Sequence, residues 1–306
     1  MPSLKAIRTR IASVKNTQKI TKAMKLVAAA RLRRAQDQMM AARPYAKRVA
    51  EVIADISTRG AASGEALTHP LLQERPVLRT RIIVISSDRG LAGGYNSNLN
   101  RLVERFLVDE KPKLGEVELV TIGRKAREHF RRRGNINADA SHPAATSVTI
   151  PAMAQAMAEQ SKAAFLSDDP AVRVDRVYLA FNEFKSVISL NPQVVQILPV
   201  PTIAPTPAIG DKAGTPLRAL LDFEYEPNKE SVLATALPLY LEVVLRSALL
   251  ESVASFFGAQ MSAMDNATKN AKEMISSLTL QFNRARQAAI TKELMEIVGG
   301  AEALKG

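Results

Sequence analysis

The stretch Ser86-Ser-Asp-Arg-Gly-Leu-Ala-Gly-Gly-Tyr-Asn-Ser97 has the residue types best suited to chemistry, rich in glycine and hydroxyls between a β-branched run and a helical pattern. In doubly wound folds such a junction offers backbone N–H groups and a helix N-terminus to a phosphate. The stretch matches neither G-x-G-x-x-G nor G-x-x-x-x-G-K-S/T, and no acid suited to a ribose follows at the right distance. Three readings stand: a nucleotide site, a tight structural turn, or a loop that touches a partner. A second candidate is the basic run Arg124–Arg133, with Arg124, Lys125, Arg127, Arg131, Arg132 and Arg133. It reads as a solvated helix face or as a contact for an acidic partner or a lipid headgroup. Serine, histidine and aspartate occur, but nothing arranges them as a triad. His69, His129 and His142 are too scattered for a metal cluster, and the chain has no cysteine, which excludes disulfides, a thiolate nucleophile and zinc–cysteine sites. No catalytic, cofactor-binding or metal-binding residue is expected.

Charge is concentrated rather than spread. Residues 1–36 hold ten bases and no acid; with those set aside, the 42 bases of the chain fall to 32 against 30 acids. Such a segment meets something acidic. An import sequence, a nucleic-acid arm and a partner-facing helix surface all fit on composition. The apolar pattern continues past any cleavage point, and with no tryptophan and 5% aromatics the chain is poorly supplied for base stacking. No apolar run approaches the roughly 18–20 residues of a membrane span, so a membrane role is expected to be peripheral.

The elements that must position these groups are legible from periodicity. Spacings of three and four pick out Leu4, Ile7, Ile11, Val14, Gln18, Thr21, Lys25, Ala28, Leu32, Ala35, Met39, Ala42, Ala46, Val49, Ile53 and Ile56. A second stripe runs Leu233, Ala236, Tyr240, Val243, Ser247, Leu250, Ala254, Phe257, Met261, Met264, Thr268, Ala271, Ile275, Leu278, Phe282, Ala285 and Ala289, then slips to Ile290, Leu294 and Ile297. Stripes this long argue for a coiled-coil seam, about 80 Å each at 1.5 Å per residue. Pro44 lies inside the first pattern and is expected to kink it or perturb a turn, and Pro238, near the start of the second, to kink or delay its helix. Between the stripes, strands 81–86, 116–122, 174–184 and 193–200 alternate with helices 97–109, 124–133 and 151–166, and a proline-rich stretch follows. The expected fold is mixed α/β: a Rossmann-like central domain flanked by a long antiparallel two-helix coiled coil. Its parts are an N-terminal helix over 1–58, a connector over 59–79, the α/β domain over 80–226 and a C-terminal helix over 227–306. Two helices leaving one domain pair antiparallel, which sets Leu4 near Ala285–Ala289 and Ile56 near Leu233. That makes a mechanical shape, able to transmit torque if both ends are held.

Three segments carry a family resemblance. Ile20-Thr-Lys-Ala-Met-Lys-Leu-Val-Ala-Ala-Ala-Arg-Leu-Arg-Arg-Ala-Gln36 resembles the first-helix signature of the ATP synthase gamma-subunit family. Ala285-Arg-Gln-Ala-Ala-Ile-Thr-Lys-Glu-Leu-Met-Glu-Ile-Val-Gly-Gly-Ala-Glu-Ala303 resembles its C-terminal signature. Ser87-Asp-Arg-Gly-Leu-Ala-Gly-Gly resembles its central motif, where many members have cysteine in place of Ala92.

The resemblance implies a non-catalytic central-stalk rotor of a proton-translocating F-type ATP synthase. Its implied partners are the alpha, beta and epsilon subunits and the membrane ring of c subunits, with catalysis in the beta subunits, no cofactor of its own and no nucleic acid. Arg286, Gln287, Thr291 and Glu293 match family positions that touch loops of the surrounding beta and alpha subunits. Met24 and Lys25 match positions near the acidic lever segment of beta. Ile290, Leu294, Ile297 and Val298 would turn in an apolar sleeve. The start at Met1 leads to the expectation of a bacterial protein, peripheral on the cytoplasmic face of the inner membrane.

Overall fold

The computed structural model describes residues 3–63, 69–132, 141–187, 189–201 and 229–303. In chain order the elements are α1 (Leu4–Ser63), a short 3-10 helix (Pro70–Leu72), β1 (Arg79–Ile85), α2 (Tyr95–Asp109), α3 (Lys111–Leu114), β2 (Glu116–Ile122), α4 (Arg124–Arg131), β3 (Ser141–His142), α5 (Ile150–Leu166), β4 (Arg176–Phe184), β5 (Leu190–Leu198) and α6 (Lys229–Ala303). They form two compact units, residues 1–28 with 260–306 and residues 29–259, so α1 and α6 each contribute to both.

The larger unit is built on a five-stranded sheet in the order β3-β2-β1-β4-β5, parallel except for the β4–β5 hairpin. β1 lies at the centre, which is why Ile82, Ile83, Val84 and Ile85 are apolar without alternation: both faces are covered. On one face Ile82, Val84, Leu119 and Ala180 pack with Leu99 and Val103 of α2 and Ala126 and Phe130 of α4. On the other, Arg81 reaches the carbonyl of Gln160 in α5. The start of β1 is fixed by buried Asp175, whose carboxylate accepts from the backbone of Leu78 and Arg79 and pairs with Arg75 at 2.8 Å and Arg173 at 3.1 Å. Burial alone would raise that carboxyl; the two backbone donors and the two arginines together hold it below the usual range.

In the smaller unit α1 and α6 run antiparallel, since Thr21 meets Thr268 and Lys25 meets Asp265. Across the whole chain, each stripe residue from Leu4 to Ile53 and from Leu233 to Ala289 is buried or half-buried, while most residues between them are exposed. Ile56 lies outside the residues whose side chains are described, as do Arg133 and the prolines Pro205, Pro207 and Pro216.

Three expectations need correction. Helix α1 continues through Gly60 to Ser63 rather than stopping near 58, since a lone glycine weakens a helix without ending it. Pro238 lies inside a helix already running from Lys229, so it does not delay the start, and α1 continues past Pro44. Within Ser231–Gly300 one 18-residue window reaches a mean hydropathy of 1.6, apolar enough to cross a bilayer by length and composition. Leucine and alanine raise that average even though charged residues interrupt every apolar run. Residues 248–255 of the same helix are buried against protein.

Candidate functional site

The strand order changes direction between β1 and β4, and the crevice beyond the carboxyl ends of these strands is where open α/β sheets take ligands. The loop Ser86–Gly94 enters it. Its polar groups are used within the fold. Ser86 Oγ accepts from the backbone N of Ala126 at 3.0 Å and lies 3.0 Å from the carbonyl of Ile122. Asn96 Oδ1 accepts from the backbone N and hydroxyl of Ser87. Asp88 accepts from the backbone N of Arg124 at 2.9 Å and of Ala144 at 3.2 Å. One carboxylate therefore caps the first turn of α4 and holds the segment just past β3. Gly123, between β2 and α4, sits at φ 92° against the backbone of Ser86, a conformation and a closeness that a side chain would not permit.

What fills the crevice is α6. Tyr95, at the start of α2, packs edge-on against Phe256 with ring centroids 5.5 Å apart, in a cluster with Ala92 and Ala259. Burial pushes the Tyr95 phenol up to about 12, with Ser252 and Asn182 pulling the other way, so it stays neutral. Asn182 on β4 donates to the carbonyl of Tyr95, and Ser255 donates to the carbonyl of Asn182. Gly258 lets α6 approach Phe184, whose ring would lie 3.3 Å from an added Cβ. The crevice that takes a nucleotide in other folds here holds a helix. Of the three readings of Ser86–Ser97, the structural turn is the one these contacts support. On the same helix Glu251 is buried with Oε2 unpartnered. Burial first, and the Glu183 carboxylate second, raise its carboxyl to about 7, against the backbone of Phe184 and the charge of Arg43.

The residues singled out by the resemblance all lie in the smaller unit. Met24 and Lys25 are half-buried, and Lys25 Nζ sits 2.6 Å from Asp265, so its charge has a partner within the chain. Arg286, Gln287, Thr291 and Glu293 are exposed. Ile290, Leu294, Ile297 and Val298 are 49%, 56%, 68% and 57% exposed, an apolar surface that the described residues leave uncovered. Sequence reasoning passed over Asp265, which sits one turn from the seam residue Thr268; an acid flanked by Lys25 across the proposed seam and Lys269 along the helix was the available signal.

A family model described as ATP synthase matches residues 3–304. An ATP synthase gamma chain from an Anaeromyxobacter species is 51% identical over 306 residues, covering 100% of both chains. One from Geobacter metallireducens is 45% identical over 313 residues, again covering 100% of both. Among solved structures, a chain of the Euglena gracilis mitochondrial ATP synthase aligns with a TM-score of 0.63 at 17% identity, covering 98% of this chain and 94% of that one. A chain of the Tetrahymena thermophila enzyme's central stalk and c-ring structure aligns at 0.57 and 23% identity, covering 81% and 99%. These two likenesses speak to the fold, and the sequence relatives to descent: the chain belongs to the ATP synthase gamma chain family.

Proposed function

We propose that this chain works as the central-stalk rotor of a proton-translocating F-type ATP synthase, a non-catalytic subunit that couples proton flow through a ring of c subunits to catalysis in beta subunits. The observation that carries the reading is the end of α6. Ile290, Leu294, Met295, Ile297 and Val298 stand exposed, five large apolar side chains close together on a helix whose earlier large apolar residues are mostly covered. Apolar contact has no preferred direction, which suits a tip that turns inside a sleeve of other subunits. Arg286, Gln287, Thr291 and Glu293, exposed on the same stretch, would meet loops of the alpha and beta subunits. Met24 and Lys25 would lie near an acidic segment of beta, in a chain whose first 36 residues carry no acid. The epsilon subunit and the c-ring would hold the α/β part. The working division is α1 and residues 227–306 as a coiled-coil shaft, the segment between α1 and residue 79 as connector and 80–226 as the docking domain. The complex would place the chain, peripherally, on the cytoplasmic face of a bacterial inner membrane.

Mixing the purified chain with the alpha and beta subunits of its organism tests this. The expected product is one copy per three alpha and three beta subunits, with sustained ATP hydrolysis. A chain that leaves alpha and beta unassembled and their hydrolysis unchanged overturns the reading.

A further inference from the structure

We propose that the outer face of the α2–α4 layer is a docking surface for anionic phospholipid headgroups, formed by Arg101, Arg105, Arg127, Arg131 and Arg132. The two helices lie side by side on one face of the sheet and share its core through Leu99, Val103, Ala126 and Phe130. His129 and Glu104 join them at 2.9 Å. The acids in the middle of this layer are occupied: Glu104 meets His129, and Glu128 meets Arg124 at 3.3 Å and Lys125 at 3.2 Å. The five arginines are exposed and make no hydrogen bond or ion pair among the described residues.

Of the acids on α2 and α4, Glu104 and Glu128 are paired and Asp109, one turn past Arg105, is exposed. Here Arg101 with Arg105, and Arg127 with Arg131, are like charges one helical turn apart, an arrangement that destabilises a helix unless something neutralises it. Every one of these cations is arginine. The guanidinium fork meets two phosphate oxygens at once, which a lysine ammonium does not. Their spread over two neighbouring helices suits a surface of repeated phosphates better than a single bound ion, and basic residues gain attraction close to an anionic leaflet. The inference rests on the membrane-bound assembly proposed above, where such a leaflet lies at hand.

The full chain would be sedimented with vesicles of phosphatidylcholine alone and with vesicles containing phosphatidylglycerol. Binding is expected only to the second, and weakening as salt is raised. Replacing Arg127, Arg131 and Arg132 together by glutamine should lower vesicle affinity about a hundredfold, at about fivefold per arginine. The pair Arg101→Gln and Arg105→Gln on α2 reads the same face independently, should the triple variant fail to fold. Lys15→Gln with Lys19→Gln, on the equally basic α1, should leave most of the affinity. Loss in the α1 variant with none in the arginine variants overturns the proposal. So does equal binding to phosphatidylcholine, or an acidic polypeptide that binds this face while vesicles do not. Assembly with alpha and beta subunits is measured separately and without lipid. Intact assembly beside absent vesicle binding sinks this inference alone, whereas failed assembly sinks the rotor reading.

Discussion

Helix α6 is core in one unit and surface in the other. From Ala248 to Ser255, in the larger unit, eight consecutive residues are buried on every side of the helix. In the smaller unit the buried positions are Met264, Ala271 and Leu278, one in seven, and beyond Ala289 every residue with a described side chain is exposed. The first arrangement fixes a helix by volume: it touches sheet, loop and helix, and no face is left to offer. The second fixes it by a single stripe and leaves most of its surface for other molecules. A part meant to be gripped and turned needs the second kind of helix, and something rigid to root it needs the first.

Adding the same methyl group to each unit separates the two most sharply. Gly123→Ala puts a Cβ 2.4 Å from the carbonyl oxygen of Ser86, at a φ of 92° that alanine resists. We expect a loss of about 3 kcal/mol or more in urea unfolding followed by circular dichroism. Gly299→Ala, near the end of α6, meets nothing within 4 Å and should gain up to about 1 kcal/mol from helix propensity. Similar effects at the two sites would erase the contrast between packed and open regions.

The buried acid sharpens it further. In the folded chain the Glu251 carboxyl lies near 7, while an unfolded chain releases that proton near 4.5. Between those values the folded state keeps a proton that the unfolded state has lost. Stability is therefore full below about 4.5, falls as pH rises through the window, and levels off above about 7. Glu251→Gln should remove this fall and be the more stable protein at pH 8, by on the order of 3 kcal/mol, with little difference at pH 4. Unfolding curves for the two proteins that stay parallel from pH 4 to 8 would show that Glu251 is not held in the apolar setting described.

Both stripes were legible in the sequence because helical burial repeats over a few residues, and so were β1, β2 and the three main helices that flank the sheet. The antiparallel offset that sets Leu4 opposite Ala285 is also the one that joins Thr21 to Thr268. What local pattern does not carry is action at a distance. Ser86–Ser97 stayed ambiguous because glycines and hydroxyls serve a phosphate cradle and a tight turn equally well. The deciding partners are Phe256 and Ala259, some 160 residues later. Asp88, inside that stretch, is a helix cap for α4, 36 residues on, which the parallel register of β1 and β2 makes possible. The two-residue β3 is too short to leave any alternation to read.

The smallest expected effect lies in the seam of the smaller unit. Hydrogen bonds from Lys25 first and Lys269 second hold the Asp265 carboxyl below its usual range, with slight desolvation opposing them. Its contribution is thus present above the usual carboxylate range and lost as pH falls through the lowered value. Both partners are partly exposed, so the pair is weak and screened by salt. A double-mutant cycle of Lys25→Met and Asp265→Asn should show a small favourable coupling at low salt that fades at high salt. The neighbouring Thr21–Thr268 contact, uncharged and 2.8 Å long, should keep its coupling at both. A salt-independent Lys25–Asp265 coupling would mean a dry, rigid bridge instead. In the function proposed above the weak form is the useful one: Lys25 would leave Asp265 for an acidic group on a partner while Thr21 and Thr268 keep the two helices in register.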